Sequence, residues 1–433
     1  MHVGAAAADI TPDFEVELCG FALRQQPSTG VLDPIFARCV YLDDESHNRL
    51  LWIVADVVAL DRALVDDFRA WAKSEFGLRP EQVMLAATHT HAAPTTVTLN
   101  AAGARSEPFA QLLRERMEQI AREAVRNARP CDVVTAAGRI DLAIDRRNKP
   151  TKHVDPTVWS IAFRERGGGP STPHGTGRFV AAILNYAMHP VALGYEERRI
   201  SPDWCGGASA SLAQALTTND ATTTPVVLTT NGAAGNVNPP FHGASRDQVF
   251  GWGKSVAHVV AETLREATPR QDVTLAVRST TVAMPLESHD ARGIDRIADH
   301  MIRDVAPTTT WPDQFTRAVT AWRDALTSQV ASGGGREHDI ELQAARIGDV
   351  TVVAVNGEMF ARFTDDLRRA TGDDRLFVVG YANAAFGYIP TREAYAEGGY
   401  ETDTAHFFYN SFRPLPGSLE MLCDRAAELV RSL

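Results

Sequence analysis

Short, almost wholly apolar runs that each close on a turn constrain this chain more than any other feature. They are Leu50–Asp56 (LLWIVAD), Gln82–Ala87 (QVMLAA), Phe179–Tyr186 (FVAAILNY), Val226–Thr229 (VVLT), the VTVVAV at the end of 338–355, and Leu376–Gly380 (LFVVG). Apolar runs of this length, bounded by turn residues, read as buried strands. None approaches the ~20 residues of a membrane span, so no transmembrane segment is expected. Between them lie segments of helical period: Asp61–Gly77, about Pro108–Asn127, Gly206–Leu216, Gln248–Ala267, Gly293–Asp304, Trp311–Val330, Met359–Thr371 and Leu419–Ser432. Asp61 is placed to cap the first of these. Arg38–Leu42, Val133–Asp141, Val158–Phe163 and the alternating stretches 272–284 and 338–355 add strands, several joined as hairpins. Strand and helix alternate throughout, so the fold class is α/β, with mixed β-sheets covered by helices. The Gly/Pro-rich stretch Arg166–Arg178 reads as a loop between strands. With no internal repeat and no clear boundary, residues 1–433 are expected to form a single domain.

Of the 433 residues, 44% are hydrophobic, enough for a large core, and the net charge is -11 with no basic run. That balance excludes a nucleic-acid partner. The five cysteines (Cys19, Cys39, Cys131, Cys205, Cys423) are widely spaced and form no CxxC. They read as reduced, buried thiols. The N-terminus shows no basic segment followed by a long apolar one, so no signal peptide is expected and the localisation is read as cytoplasmic.

Chemistry gathers where strands end. In AATHTHAAP, His89 and His91 follow an apolar strand, and residues i and i+2 of a strand share a face. Strand ends are where α/β folds usually place ligand sites, and His-x-His is a recurrent metal-ligand spacing. The run AILNYAMHP stops at His189, VTVVAVNGEMF runs into Glu358, and LFVVGYANAAFGYIP carries Tyr388. Each has an ordinary alternative taken singly: half-buried loop histidines, a carboxylate at a helix N-terminus, a core tyrosine. The strand before TTNGAAGNVNPP leads into a Gly/Asn-rich loop suited to tight turns and to close approach of a ligand.

In their order along the chain, ADITP, CGFA, FARCVYL, ATHTH, AMHPV, GAAGNVNP, NGEMF and GYIPTREAYAEGGYE resemble the neutral/alkaline (non-lysosomal) ceramidase family. The likeness runs over most of residues 4–402. It implies one Zn²⁺ per chain, held by His89, His189, Glu358 and Tyr388, a donor set of N and O atoms that suits zinc. It implies transition-state contacts from His91, from Arg146 with Arg147 as a rival, and from Tyr400. The implied substrate is a small-molecule or lipid-like N-acyl compound whose C–N amide bond is cleaved by a metal-activated water. Three departures stand out. Asp145 replaces the asparagine that precedes the family's arginine. Asn238 stands where the family often has a serine, so no serine nucleophile comes from that loop. Thr402–His406 replaces a Gly-Ser-Thr motif at the substrate rim. The family's secreted members carry a leader and a C-terminal immunoglobulin-like domain, and neither is expected here. Asp56, at a strand end, is a candidate support for a metal-bound histidine, or else a capping or surface carboxylate. Two further readings compete: an ester or lactone hydrolase on the same metal centre, and a binding protein that kept the fold without catalysis. The acyl group, the amine and the oligomeric state stay open.

Overall fold

The strand Arg49–Ala55 shows why its sequence is apolar at nearly every position: Leu51, Ile53 and Ala55 face one core, and Leu50, Trp52 and Val54 face another. A strand buried on both faces reads as a continuous apolar run. In the computed structural model, which describes residues 1–166, 177–217, 224–271 and 273–433, it belongs to an eight-stranded mixed sheet. The strand order is Val226–Asn231, Phe179–Tyr186, Thr157–Glu165, Arg129–Arg139, His2–Asp9, Phe36–Asp43, Arg49–Ala55, Val83–Ala87. The outermost pair at each edge is parallel and the inner pairs are antiparallel. A second sheet has the order Leu275–Pro285, Glu337–Ile347, Val350–Val355, Leu376–Val379, with the last pair parallel.

The two sheets face each other across a shared core, in which Val40, Trp52 and Ile161 meet Val352, Ala354 and Phe377. Helices cover the outer faces. Arg62–Phe76 and Glu107–Arg126 pack with Asp203–Leu216 and Arg246–Glu266 over the larger sheet, and Pro312–Ala331, Arg362–Thr371 and Ser418–Arg431 over the smaller. The α/β reading, with mixed sheets under helices, therefore holds. All five cysteines are buried and unpaired. Among the described residues no helix is long and apolar enough to cross a membrane.

Several boundaries move for local reasons. Asp61 caps its helix by accepting from the Leu64 amide, and Gly77 ends it at φ 67°, as its sequence suggests. The helix expected from Gln248 begins at Arg246 instead, because Ser245 and Gln248 form a capping box. The helix expected from Met359 begins at Arg362, because Glu358–Met359 pairs in parallel with Tyr388–Ile389. Of the loop Arg166–Arg178, residues 167–176 lie outside the described residues.

The parallel pairs bring the C-terminal ends of strands from both sheets to one edge. There the sheets are stitched together by the Gly380 amide on the Asn231 carbonyl (3.0 Å), the Ala87 amide on the Tyr381 carbonyl (3.1 Å) and the Asn383 amide on the Leu85 carbonyl (2.7 Å).

Candidate metal centre

The loops leaving this edge carry the histidines. The strand Val83–Ala87 ends before His89, which sits at φ 70°, a left-handed conformation costly for a residue with a Cβ. His89 and His91 therefore do not share a strand face, as the i, i+2 reading supposed. The turn at His89 brings the rings together instead, with the two Nε2 atoms 3.2 Å apart. His189 lies three residues beyond the strand Phe179–Tyr186, and its amide is held by the Val237 carbonyl at 3.0 Å. Its Nε2 is 3.1 Å from that of His89. The ring nitrogens that His89, His91 and His189 offer all lie within 4.8 Å of one another.

The fourth group is Glu358, whose Oε2 is 3.3 Å from His189 Nε2 and 3.5 Å from His89 Nε2. The carboxylate thus does not cap a helix. The short parallel ladder with Tyr388–Ile389 turns it into the cluster. Its Oε1 accepts from the Tyr409 hydroxyl, while its buried Oε2 has no donor.

The tautomers follow from the carbonyls. His89 Nδ1 is 2.6 Å from the Val58 carbonyl and His189 Nδ1 is 2.8 Å from the Ala234 carbonyl. A carbonyl only accepts, so each Nδ1 carries the proton, and in the neutral ring each Nε2 presents a lone pair. Burial pushes the His189 pKa down to about 4 and that of His91 well below the usual histidine range, the neighbouring imidazoles adding to the effect. Two inward lone pairs and an ionised carboxylate, buried and within 3.5 Å of one another, repel unless a cation lies among them. The donor set of imidazole nitrogens and a carboxylate fits zinc.

The other expected residues border this cluster. Tyr388 is buried and stacks on His189 with ring centroids 6.5 Å apart, under the Arg146 guanidinium at 5.3 Å. Burial pushes its hydroxyl pKa well above the usual value, with Arg146 opposing, so a role as phenolate would require a cation. Arg146 is spread over three acceptors: Glu401 Oε1 at 2.7 Å, Asn238 Oδ1 at 3.2 Å and the Gly235 carbonyl at 2.7 Å. Arg147 donates to the Ala394 and Gly398 carbonyls and lines a different cavity. Of the two arginines it is Arg146 that faces His91, Tyr388 and Tyr400 across a cavity of about 220 Å³. Tyr400 stands at its mouth, 40% exposed, with its ring 5.6 Å from that of Tyr388. Asp145 accepts from the Arg147 and His153 amides and from Asn236 Nδ2, and so braces the turn that presents Arg146.

Asp56 is a correction. It touches no histidine, but accepts from Arg38 Nη1 at 2.8 Å and from the Phe36 amide at 2.9 Å. The polar partner of His89 is the Val58 carbonyl, two residues on. The GAAGN loop approaches protein closely: a Cβ on Gly235 would lie 2.4 Å from the Glu358 carbonyl oxygen. In CGFA, Gly20 sits at φ 110°, and a Cβ there would lie 2.3 Å from His91 Nδ1, so glycine leaves room for the imidazole.

Sequence reasoning missed Tyr409, Tyr381 and Arg24. Tyr381 stacks on His89 at 3.9 Å between centroids, and Arg24 Nη2 donates to the His91 carbonyl at 2.6 Å. No spacing announces them: Tyr409 lies in an aromatic stretch, HFFYN, that reads as core.

The family model for neutral/alkaline non-lysosomal ceramidase, N-terminal, matches residues 1–282. Neutral ceramidases of Drosophila pseudoobscura pseudoobscura and Drosophila melanogaster are each 32% identical over 95 residues, which is 21% of this chain and 14% of theirs. The structure of the Pseudomonas aeruginosa neutral ceramidase superposes on the whole chain and 75% of its own at a TM-score of 0.70 and 18% identity. A ceramidase solved in complex with C2 does so at 0.73 and 19%, again over 75% of its own chain.

Proposed function

Because the chain belongs to the neutral/alkaline non-lysosomal ceramidase family, we propose that it is a zinc-dependent hydrolase that cleaves the C–N amide bond of an N-acyl substrate. The observation that carries this reading is the pair of carbonyl-locked imidazoles, His89 and His189, turning bare Nε2 atoms toward Glu358. These three, with Tyr388, are the proposed ligands, and the carbonyls on Nδ1 supply the support that orients metal-bound imidazoles. Zinc held there supplies Lewis acidity to the amide carbonyl and to the attacking water.

His91 differs from the other two in one respect: its Nδ1 has no partner, so no carbonyl fixes its tautomer. An imidazole with an unpartnered Nδ1, kept neutral by burial and lining the cavity, suits general base and acid work. It takes the proton of the water and returns one to the leaving nitrogen. Arg146 is held by Glu401, Asn238 and the Gly235 carbonyl, which leaves further N–H bonds for the oxyanion. Tyr400, across the cavity, donates a second hydrogen bond.

The test is elemental analysis beside an amidase assay. One zinc per chain is expected in the wild type, lost in His89→Ala and retained in His91→Ala, with turnover lost in both. A wild type that takes up no zinc on reconstitution would sink the reading.

A further inference from the structure

The cavity beside the metal cluster is also lined by His242, a residue with no part in the reaction proposed above. His242 is exposed, but its Nε2 lies 2.8 Å from Nδ2 of the buried Asn238. The pair is built locally. Val237–Asn238 forms a two-residue antiparallel ladder with Ile144–Asp145, and the Arg146 amide donates to the Asn236 carbonyl at 3.0 Å. The ladder thereby fixes the spacing of Asn238 and Arg146. Pro239 and Pro240 stiffen the chain between Asn238 and His242. The Ala244 amide, on the Ala192 carbonyl at 3.0 Å, ties down its far end.

Asn238 bridges two groups, with Oδ1 3.2 Å from Arg146 Nη1 and Nδ2 facing His242 Nε2. The roles follow from Arg146. A guanidinium only donates, so the amide oxygen faces it and the amide nitrogen faces His242. An amide nitrogen also only donates. His242 Nε2 must therefore present a lone pair, and the neutral ring carries its proton on Nδ1. A second proton would set N–H against N–H, and turning the amide over would set its nitrogen against Arg146. One arrangement satisfies all three groups, and it requires a neutral His242. Desolvation pushes the His242 pKa below the usual histidine value; the Arg146 charge adds to this, and the Val191 carbonyl opposes it.

We infer that His242 and Asn238 are positioning residues for Arg146. His242 accepts from the Asn238 amide and so fixes its orientation. The amide oxygen then holds Nη1, while Glu401 holds Nε and the Gly235 carbonyl holds Nη2. The guanidinium is oriented through all three nitrogens before a substrate arrives. Asn238, which stands where the family often has a serine, has this use here. The inference rests on the hydrolase reading, in which Arg146 meets the oxyanion.

Two variants separate the hydrogen bond from the bulk of the ring. His242→Gln keeps a side-chain acceptor and His242→Leu removes it; the position is exposed, so neither disturbs the core. In amide hydrolysis, His242→Leu should lower kcat roughly 10- to 100-fold with KM unchanged, the mark of a contact made only in the transition state. His242→Gln should recover most of that loss. Equal losses in the two variants, or no loss in His242→Leu, overturn the inference. NMR of the zinc-loaded protein gives a readout independent of turnover. His242 should show a protonated Nδ1 and a bare Nε2, and in Asn238→Asp it should titrate at higher pH than in the wild type. The Arg146 Nε–H signal should persist in His242→Gln and broaden by exchange in His242→Leu. A neutral His242 protonated on Nε2, or an Arg146 signal indifferent to His242→Leu, overturns the inference. If the wild type hydrolyses no amide, the hydrolase reading falls, and the NMR signals still decide whether His242 positions Arg146.

Discussion

Replacing Glu358 with glutamine tests the electrostatic reasoning about the cluster directly. With Oε1 still accepting from Tyr409, the new amide nitrogen takes the place of Oε2, 3.3 Å from His189 Nε2 and 3.5 Å from His89 Nε2. If both Nε2 atoms bear lone pairs, as their Nδ1–carbonyl contacts require of neutral rings, the variant exchanges a repulsion for a hydrogen bond. In the metal-free protein Glu358→Gln should then be as stable as the wild type, or more stable by about 1 kcal/mol. In the metal-loaded protein the order reverses. Zinc bound as proposed would lose its carboxylate ligand, and affinity should fall by more than the roughly 10- to 100-fold that follows loss of a supporting partner. The assay is urea denaturation of chelator-treated wild type and variant at pH 7.5, followed by competitive zinc titration of each. The refuting result is a metal-free variant destabilised by about 3–5 kcal/mol, the cost of breaking a buried ion pair. That would mean the imidazoles carry protons on both nitrogens and hold Glu358 as an ion pair, so the cluster would be complete without a metal.

Three further outcomes follow from single contacts. Gly20→Ala should lower kcat more than zinc content, because the added methyl would occupy the space of His91 Nδ1 at 2.3 Å; unchanged kcat would show that the ring has room to move. Asp56→Ala should cost about 3–5 kcal/mol by leaving Arg38 buried without its carboxylate, yet leave zinc stoichiometry intact, as urea melts and elemental analysis would show. His406, packed on Phe407 at 4.1 Å with an unpartnered Nδ1, has its pKa pushed down to about 3 by burial, with Arg413 and His289 adding to the effect. A histidine that titrates lower in the folded than in the unfolded chain contributes stability above about pH 6.5 and loses it as pH falls toward 3, by about 1.4 kcal/mol per unit. His406→Phe should therefore gain on the wild type between pH 6.5 and 4 in urea melts, and a constant difference across that range would refute the assignment.

Much of the fold was legible because period and burial coincide. LLWIVA is apolar throughout and VTVVAV at every position but Thr351, because each lies between two cores and a strand has only two faces to declare. Helix boundaries were legible where caps are local, as at Asp61 and Gly77, and less so where a non-local pairing intervened. The two residues Glu358–Met359 belong to a ladder whose partner lies thirty positions on, and no propensity in the window around them reports that.

The site divides along the same line. The sequence by itself marked His89, His189, Glu358 and Tyr388 as candidates for chemistry and placed them near the ends of apolar runs, since the residue types and the runs before them are written in order along the chain. Only the tertiary structure decided what each one does there. A turn at φ 70°, not a shared strand face, joins His89 to His91. Carbonyls from Val58 and Ala234 set two tautomers, while the Nδ1 of His91 has no partner and its Nε2 meets that of His89. Arg146 and not Arg147 faces the cavity, Asp56 belongs to Arg38, and Tyr409, invisible in its aromatic stretch, holds Glu358. The reason is physical. Hydrophobic patterning is a one-dimensional signal fixed by helix and strand periods. A proton's position, or the direction of a lone pair, depends on which carbonyl or carboxylate from a distant part of the chain comes within three ångströms, and that is settled only when the layers close.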